Sequence, residues 1–418
     1  MKSSNSIENL FRHESGKLIS VLTKLFGPHN LQLAEDVVQD SLLKALDHWK
    51  FHGVPENPSA WLFTVARNKA LDVIRQERHR KKFAPEVFPL LTSEYTADAT
   101  LQQLLTPHQI EDEQLRMMFV CCHPSLPEEG QVALILKTLC GFSTAEIAHA
   151  FLTNEETITK RLYRAKEQFR NEAIAFALPS PSELQTRLEN VLTAIYLIFN
   201  EGYHTAHHAS IIREELIEES LRLGKMLVDN EITNLPITNS LMALLCFNTS
   251  RVYGRLDENG NLLQLKNQNR SKWNKQLIVQ GNHYLNRAAS IEPPTPYHIE
   301  AAIAYEHCQA ATFAETNWQR IVELYDWLYQ LKPMPLIQLN QLIALAEWKG
   351  AHVALAKLND LQLMEQLPNN ALLHAALGEW RLSIGEKESA KGHFEKAVGL
   401  SKTEKEKLFF TNRLRECY

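Results

Sequence analysis

The chain has 418 residues, 44% of them apolar and 22% charged, with 44 Lys and Arg against 49 Asp and Glu for a formal charge of −5. That length exceeds one hydrophobic core, so two or three domains are expected, and the composition excludes a disordered chain. Six cysteines over this length make no disulfide framework. No stretch approaches the ~20 apolar residues of a membrane span, and "MKSSNSIENLFRHESGKLIS" lacks the apolar core of a secretory signal, so a cytoplasmic protein without a membrane partner is expected.

Helical periodicity dominates and alternating strand patterns are almost absent, which predicts an all-α protein. In "LQLAEDVVQDSLLKALDHW", Ala34, Val38, Leu42, Ala45 and Trp49 fall near one face, flanked by Val37 and Leu46. Glu35, Asp36, Gln39, Asp40 and Asp47 form the opposite, acidic face. "KFHGVPENPSAW" is a loop by its Gly and two Pro, with Ser59 the expected N-cap of the next helix. Its neighbours Trp49, Phe51 and His52 carry rings that could stack on an unpaired base or close a small core.

The helix expected from Ala60 to Lys82 becomes steadily more basic. Arg67, Lys69, Arg75, Arg78, Arg80, Lys81 and Lys82 face only Asp72 and Glu77. Asn68, Asp72, Arg75 and His79 recur at steps of four, three and four, opposite Leu62, Val65, Ala66 and Val73. Amide, carboxylate and guanidinium groups on one stripe are the types that read bases and grip phosphates. An acidic helix beside a basic one points to two partners, a cationic protein surface and a nucleic acid.

From Phe83 to about Ile110 the pattern breaks, with three prolines and no Lys or Arg, and an inter-domain linker is expected. Helices resume at "EDEQLRMMFVCC" and run to about Ala177, and "LPSPSEL" marks a second boundary. Within this span, "GFSTAEIAHAFLTNEETITKRLYRAKEQFR" reads as a helix-turn-helix. Ile147, Ala148 and Phe151 pack the first helix inward, and Ile158, Leu162, Ala165 and Phe169 mark the buried face of the second. Thr157, Lys160, Arg161 and Arg164 lie on its other face, downstream of Glu155 and Glu156 at the helix start. Such a row suits phosphates and the acceptor edge of guanine in the major groove, while a solvated basic helix in an ordinary bundle is the plainer alternative. The net negative charge does not decide between them, because DNA affinity depends on the local cations that meet phosphates.

The half after Leu184 is again helical and weakly self-similar. In "LHAALGEWRLSIGEKESAKGHFEKAVGL", Leu377, Gly378, Gly385, Ala390, Phe394 and Ala397 sit at tetratricopeptide offsets, where small residues let two helices cross closely. "HYLNRAASIEP" and "ELYDWLYQLKP" each end a helix with Pro, which suggests a degenerate repeat array.

Together these segments resemble a bacterial RNA polymerase sigma factor of the extracytoplasmic-function (ECF) group. "AEDVVQDSLLKAL" is similar to the segment that docks on core RNA polymerase. The resemblance thus implies polymerase-binding roles for Glu35, Asp36, Gln39, Asp40 and Leu43. "WLFTVARNKALDVIRQERHRKK" and the loop "FHGVPENPSAW" resemble the parts that melt the promoter −10 element and hold its flipped base. This implies −10 contacts from Phe51, His52, Arg67, Asn68, Lys69, Asp72, Arg75, Arg78 and His79. "LPEEGQVALILKTLCGFSTAEIAHAFLTNEETITKRLYRAK" resembles the region that reads the −35 element, implying contacts from Thr157, Thr159, Lys160, Arg161, Arg164 and Lys166. The domain expectation is region 2 at 1–83, a linker at 84–110, region 4 at 111–177 and an extension at 184–418. "EDEQLRMMFVCCHPSL", "AIYLIFNEGY" and "LKNQNRSKWNKQLIVQG" resemble a subgroup whose tetratricopeptide-like extension modulates the factor in cis. Asn269 and Asn274 depart from it, standing where that pattern has Asp. The resemblance implies promoter DNA and core polymerase as partners, a protein or small-molecule signal at the extension, no cofactor and no enzymatic activity.

Three further features carry weaker chemistry. Cys121, Cys122 and His123 suggest a metal or redox site, but no second ligand pair exists, and buried small residues at a helix end fit better. His204, His207 and His208 near Glu201 could share a metal or form a structural turn. "NRSKWNK", with Arg270, Lys272, Trp273 and Lys275, could be an anion patch or a loop whose Trp plugs the helical core. The nearest rival function is a non-sigma helix-turn-helix regulator with a repeat-based sensor, which has no use for the acidic helix or the Asn68 stripe. A purely protein-binding repeat scaffold explains neither basic helix.

Overall fold

The computed structural model describes residues 2–77, 94–151, 153–203, 212–258, 260–290, 293–401 and 404–418. Among these every named element is helical. The chain divides into two compact units, the first made of residues 1–202 and 215–227, the second of 203–214 and 228–418.

In the first unit, α1 (Lys2–Phe26) is followed by α2 (Leu31–His52) and α3 (Pro58–Glu77). Leu18, Val21, Leu22 and Leu25 of α1, Ala34, Val38 and Ala45 of α2, and Leu62, Ala66 and Ala70 of α3 are sealed from solvent. The cap of α3 is not Ser59 but Asn57, whose Oδ1 accepts the Ala60 N–H at 3.0 Å, with Pro58 in the first turn where its missing N–H costs nothing. Ser59 instead donates to the buried Glu14 at 3.0 Å. Helix α2 runs through His52, so Phe51 and His52 belong to its last turn and not to the loop. The expected linker holds a helix, α4 (Glu94–Leu104), anchored by the fully buried Leu101.

Next come α5 (Pro107–Cys121), α6 (Glu128–Thr138), α7 (Thr144–Ala150) and α8 (Glu155–Asn171). Cys121 and Cys122 lie buried where α5 ends, and burial pushes the Cys121 thiol up to about 12, which makes both packing residues. Helix α7 opens with a capping box, in which Ser143 Oγ takes the Glu146 N–H and the Glu146 carboxylate takes the Ser143 N–H. Helix α8 is capped by Asn154, which accepts the Thr157 N–H at 2.8 Å. The unit is completed by α9 (Pro181–Tyr203) and most of α10 (Glu214–Asp229).

The second unit begins its helices with α11 (Pro236–Ser250), α12 (Lys275–Arg287) and α13 (Pro296–Gln309). Antiparallel neighbours come next, α14 (Trp318–Leu331) with α15 (Pro335–Lys349), then α16 (Ala351–Asp360) and the short α17 (Leu363–Gln366). Helices α18 (Ala371–Ser383), α19 (Lys387–Leu400) and α20 (Glu404–Arg415) close the chain. Small residues do permit the close crossing expected at α18 and α19: a Cβ on Gly378 would lie 2.7 Å from the Phe394 ring. The core of these helices gathers Ile321, Leu339, Leu342, Leu358 and Leu373.

Candidate nucleic-acid and polymerase interface

Amphipathic spacing decides which face α8 shows. Ile158, Leu162, Ala165 and Phe169 are buried, so Thr159, Lys160, Arg164 and the large Tyr163 are pushed outward. Most of the outward cations already have partners. Lys160 pairs with Glu156 one turn away at 2.6 Å, and Arg161 pairs with Glu129 of α6 at 3.0 Å and lies over the Phe151 ring. Thr159 Oγ1 donates to the Glu155 carbonyl, and Thr157 is half-buried at the cap. Arg164 is exposed, and its guanidinium has no partner among the described residues.

Lys166 is the exception to the outward row. Its Nζ donates to Glu35 of α2 at 2.5 Å and reaches Gln32 at 3.4 Å. Glu35 is therefore not on the open acidic face, since Lys166 and the flanking helix leave it only 9% exposed. The remaining acidic face stands open. Asp36, Gln39 and Asp40 are exposed, Asp36 accepting from Gln32 and Asp40 pairing with Lys69 of α3 at 2.8 Å. Leu43, Leu46, Phe51 and Val54 add an apolar strip at the same end, with Phe51 78% exposed. Leu46, placed by its spacing on the flank of the apolar face with Val37, is exposed whereas Val37 is buried, and Val54 had no assigned role in the sequence pattern.

On α3, Asn68 is exposed with no partner among the described residues. Arg67 is held by Asp98 of α4, Nε to Oδ1 at 2.7 Å, and Asp72 pairs with Arg75 at 2.8 Å. Trp49 is a core residue, packed on Phe11 and Trp61, each with ring centroids 5.5 Å away. His52 stacks on His48 at 4.2 Å. Arg78, His79, Arg80, Lys81 and Lys82 lie outside the described residues, as do His204, His207 and His208.

A second set of contacts between distant segments escaped the sequence pattern, because α1 carried no motif. Arg12 of α1 grips Glu146 of α7, Nη2 to Oε1 at 3.0 Å, with both side chains largely enclosed. Glu146 thus serves the α7 capping box and the link to α1 together. His13 of α1 meets Glu219 of α10 at 3.2 Å, and Arg222 clasps the same carboxylate at 2.7 Å while reaching Gln114 of α5 at 3.1 Å. Burial alone would raise the Glu219 carboxyl, but the hydrogen bonds from Arg222 and His13 hold it below the usual range. His149 of α7 meets the buried Glu201 of α9 at 2.7 Å.

Comparison with known proteins accords with this arrangement. Residues 10–80 match the Sigma-70 region 2 family, residues 116–169 the Sigma-70 region 4 family, and residues 187–289 a family of unknown function, DUF6596. An uncharacterized protein of Rhizobium meliloti (strain 1021) is 33% identical over 385 residues, covering 92% of this chain and 90% of the relative. The ECF RNA polymerase sigma factor SigL of Mycobacterium tuberculosis (strain ATCC 25618 / H37Rv) is 31% identical over 138 residues, 33% of this chain and 72% of that protein. The ECF RNA polymerase sigma-E factor of Escherichia coli (strain K12) is 26% identical over 137 residues, 32% of this chain and 71% of that protein. No solved structure matches. No helix among the described residues is long and apolar enough to cross a membrane. With both sigma regions in order on an all-α frame, and a larger helical domain after them, this chain belongs to the ECF-type RNA polymerase sigma factors.

Proposed function

We propose that the protein carries core RNA polymerase to a promoter by reading −10 and −35 elements, and that its extension modulates this activity in cis. In this reading region 2 spans 1–83, the linker 84–110, region 4 111–177 and a tetratricopeptide-like extension 184–418. The open strip of α2 from Asp36 through Gln39 and Asp40 to Leu43, with Glu35 released from Lys166, docks on the polymerase. Phe51, His52, Arg67, Asn68, Lys69, Asp72, Arg75, Arg78 and His79 serve the −10 element, and Arg164 leads the −35 contacts with Thr157, Thr159, Lys160, Arg161 and Lys166.

The observation that carries the cis-modulation is the grip of extension residues on both sigma regions, Glu219 on His13, Arg222 on Gln114 and Glu201 on His149, which holds the unit in a form where Lys166 pairs with Glu35. A residue assigned to the −35 element and one assigned to polymerase docking occupy each other, so the compact unit withholds both until regions 2 and 4 part. The Arg12–Glu146 pair and the His13–Glu219–Arg222 cluster support the same closed arrangement.

Run-off transcription with core polymerase and a cognate promoter tests the reading. Arg164→Ala should lower −35-dependent transcription roughly tenfold, from the ~1–3 kcal/mol of one good base contact, with polymerase co-elution intact. Reversing Asp36 and Asp40 to Lys should abolish co-elution. Absence of any promoter-directed transcript from both the full chain and a chain truncated within the extension, on a promoter already identified as cognate, would overturn the proposal.

A further inference from the structure

The second unit concentrates positive charge where a folded protein ordinarily excludes it. Arg251 and Arg255 sit in the turn after α11, and Arg270 in the loop before α12. Arg255 is only 8% exposed; its Nη1 donates to the Tyr203 carbonyl at 2.9 Å and its guanidinium lies 3.8 Å from the centre of the Tyr203 ring. Arg270 is clipped by three uncharged oxygens, the carbonyls of His307 and Ala310 at 2.8 and 2.6 Å and the Thr316 hydroxyl at 3.0 Å. Arg251 and Arg270 both lie over the Trp273 ring, 5.1 and 4.9 Å from its centre. The Arg251 guanidinium makes no hydrogen bond to the described residues, and its Nε is out of the reach of water.

None of these three arginines has a carboxylate in ion-pair range among the described residues. Glu315 is felt by Arg270 only at longer range. Asn269 and Asn274, which stand where related chains are expected to have Asp, cap the turns at Ser271 and α12 through their Oδ1 atoms and bring no charge. Two more polar groups are left over: Trp273 Nε1, pressed against Gly254, and Nδ1 of His307, both buried and unpaired. Burying Arg255 and half-burying Arg251 and Arg270 without counter-charge is costly, and each orphaned polar atom adds to that cost.

A cavity of about 950 Å³ adjoins the cluster. Of the three arginines only Arg255 is in its wall, with Gln268 and His307; Arg251 and Arg270 lie outside it, close enough to act on His307, and Trp318, Tyr325 and Trp380 supply apolar surface. The acids in the same wall do not cancel the arginines. Glu379 is already taken by Arg413, Lys266 and Gln264, burial pushes the Glu347 carboxyl up, Glu406 is the third, and none of the three is in ion-pair range of Arg251, Arg255 or Arg270.

We infer that this arginine cluster, through Arg255 in the cavity wall and with Arg251 and Arg270 adding their positive charge, binds the oxyanion head, carboxylate or phosphate, of an amphiphilic small molecule whose apolar body fills the adjoining cavity. The anion supplies the missing counter-charge and the aromatic wall takes the rest. Binding does not depend on the transcription reading; only the use of this site as the signal input of the extension rests on it.

Thermal unfolding of the full chain tests the site with four probes: sodium octanoate, octyl phosphate, inorganic phosphate and octan-1-ol. Octanoate or octyl phosphate should raise the melting temperature saturably, by about 2–4 °C near saturation. The stronger of the two identifies the head group. Inorganic phosphate should act weakly, and octan-1-ol not at all. Arg251→Gln should lose the shift yet melt no lower than the parent without anion, since no hydrogen bond is removed. Arg251→Lys should keep a reduced shift, and Arg320→Gln, on α14, the full one. If Arg251→Gln fails to fold by circular dichroism, Arg251→Lys decides, and a shift equal to the parent's overturns the inference. So does the absence of a saturable shift with either amphiphilic anion, or an equal shift with octan-1-ol. Because the readout is binding, a negative result here leaves the sigma assignment standing.

Discussion

At the scale of single residues, glycines with opposite surroundings give opposite predictions. Gly16 of α1 is packed on the end of α6, and a Cβ there would lie 1.9 Å from the Leu139 carbonyl oxygen, an immovable backbone atom. Gly16→Ala should therefore cost about 2–3 kcal/mol, the range of an overpacked core, in urea unfolding. Gly392 lies in the middle of α19, exposed, with nothing within 4 Å of its would-be Cβ. Gly392→Ala should stabilise by about 0.5–1 kcal/mol, because the helix no longer has to order a glycine. His307 gives a pH prediction at the same scale. Burial, then Arg251 and Arg270, drive its folded pKa from 6.5 down to about 3. Below pH 6.5 the unfolded chain takes up a proton that the folded chain refuses, so stability falls as the pH drops from 6.5 toward 3. His307→Gln should remove that component of the acid loss, seen as a flatter dependence of the urea midpoint on pH.

At the scale of elements, α8 depends on its cap and on its pairing with α2. Asn154→Ala removes the acceptor for the Thr157 N–H and should cost ~1 kcal/mol, measured by urea unfolding. A double-mutant cycle on Lys166 and Glu35 should give a coupling above the ~0–1 kcal/mol of exposed pairs, since both side chains are mostly enclosed. Much of α8 was legible beforehand, because burial at steps of four, three and four leaves a local signature: Ile158, Leu162, Ala165 and Phe169 are all buried. Its pairing with Glu35 was not, because 131 residues separate the partners and a charged residue on a polar face looks the same whether water or another helix covers it. Helix α4 went unnoticed for a different reason. Prolines on both sides mark a break, and inside α4 only Leu101 is sealed from solvent among the described residues, too little to set an apolar period. No motif in the sequence pattern marked α1, so Arg12 and His13 emerged only when folding brought them to Glu146 and Glu219.

At the scale of the whole molecule, the unit that holds both sigma regions does not stop at Ala177. It includes residues through 202 and residues 215–227. Helix α9 buries Leu188, Val191, Leu192, Ile195, Ile198 and Phe199, and α10 buries Leu216, Ile217, Leu223 and Leu227. Polar ties reinforce the apolar ones: Asn190 to Gln131, Glu201 to His149, Glu219 to His13, and Arg222 to Gln114. Each large apolar side chain contributes roughly 1.5–3 kcal/mol on burial, so their combined loss exceeds the ~5–15 kcal/mol that holds an ordinary domain together. A chain ending at Ala177 should therefore lose cooperative urea unfolding and near-ultraviolet dichroism. One ending at Asn230 should keep both. A sharp unfolding transition at the same urea midpoint for the two truncations would show that α9 and α10 are not part of the fold of the sigma regions. The distinction governs how cis-modulation is to be tested. Inactivity of the shorter chain reports unfolding, whereas the longer one keeps the Arg12–Glu146 and His13–Glu219 ties and lacks most of the second unit. Transcription by the chain ending at Asn230, set against the full chain on one promoter, then isolates what the rest of the extension contributes.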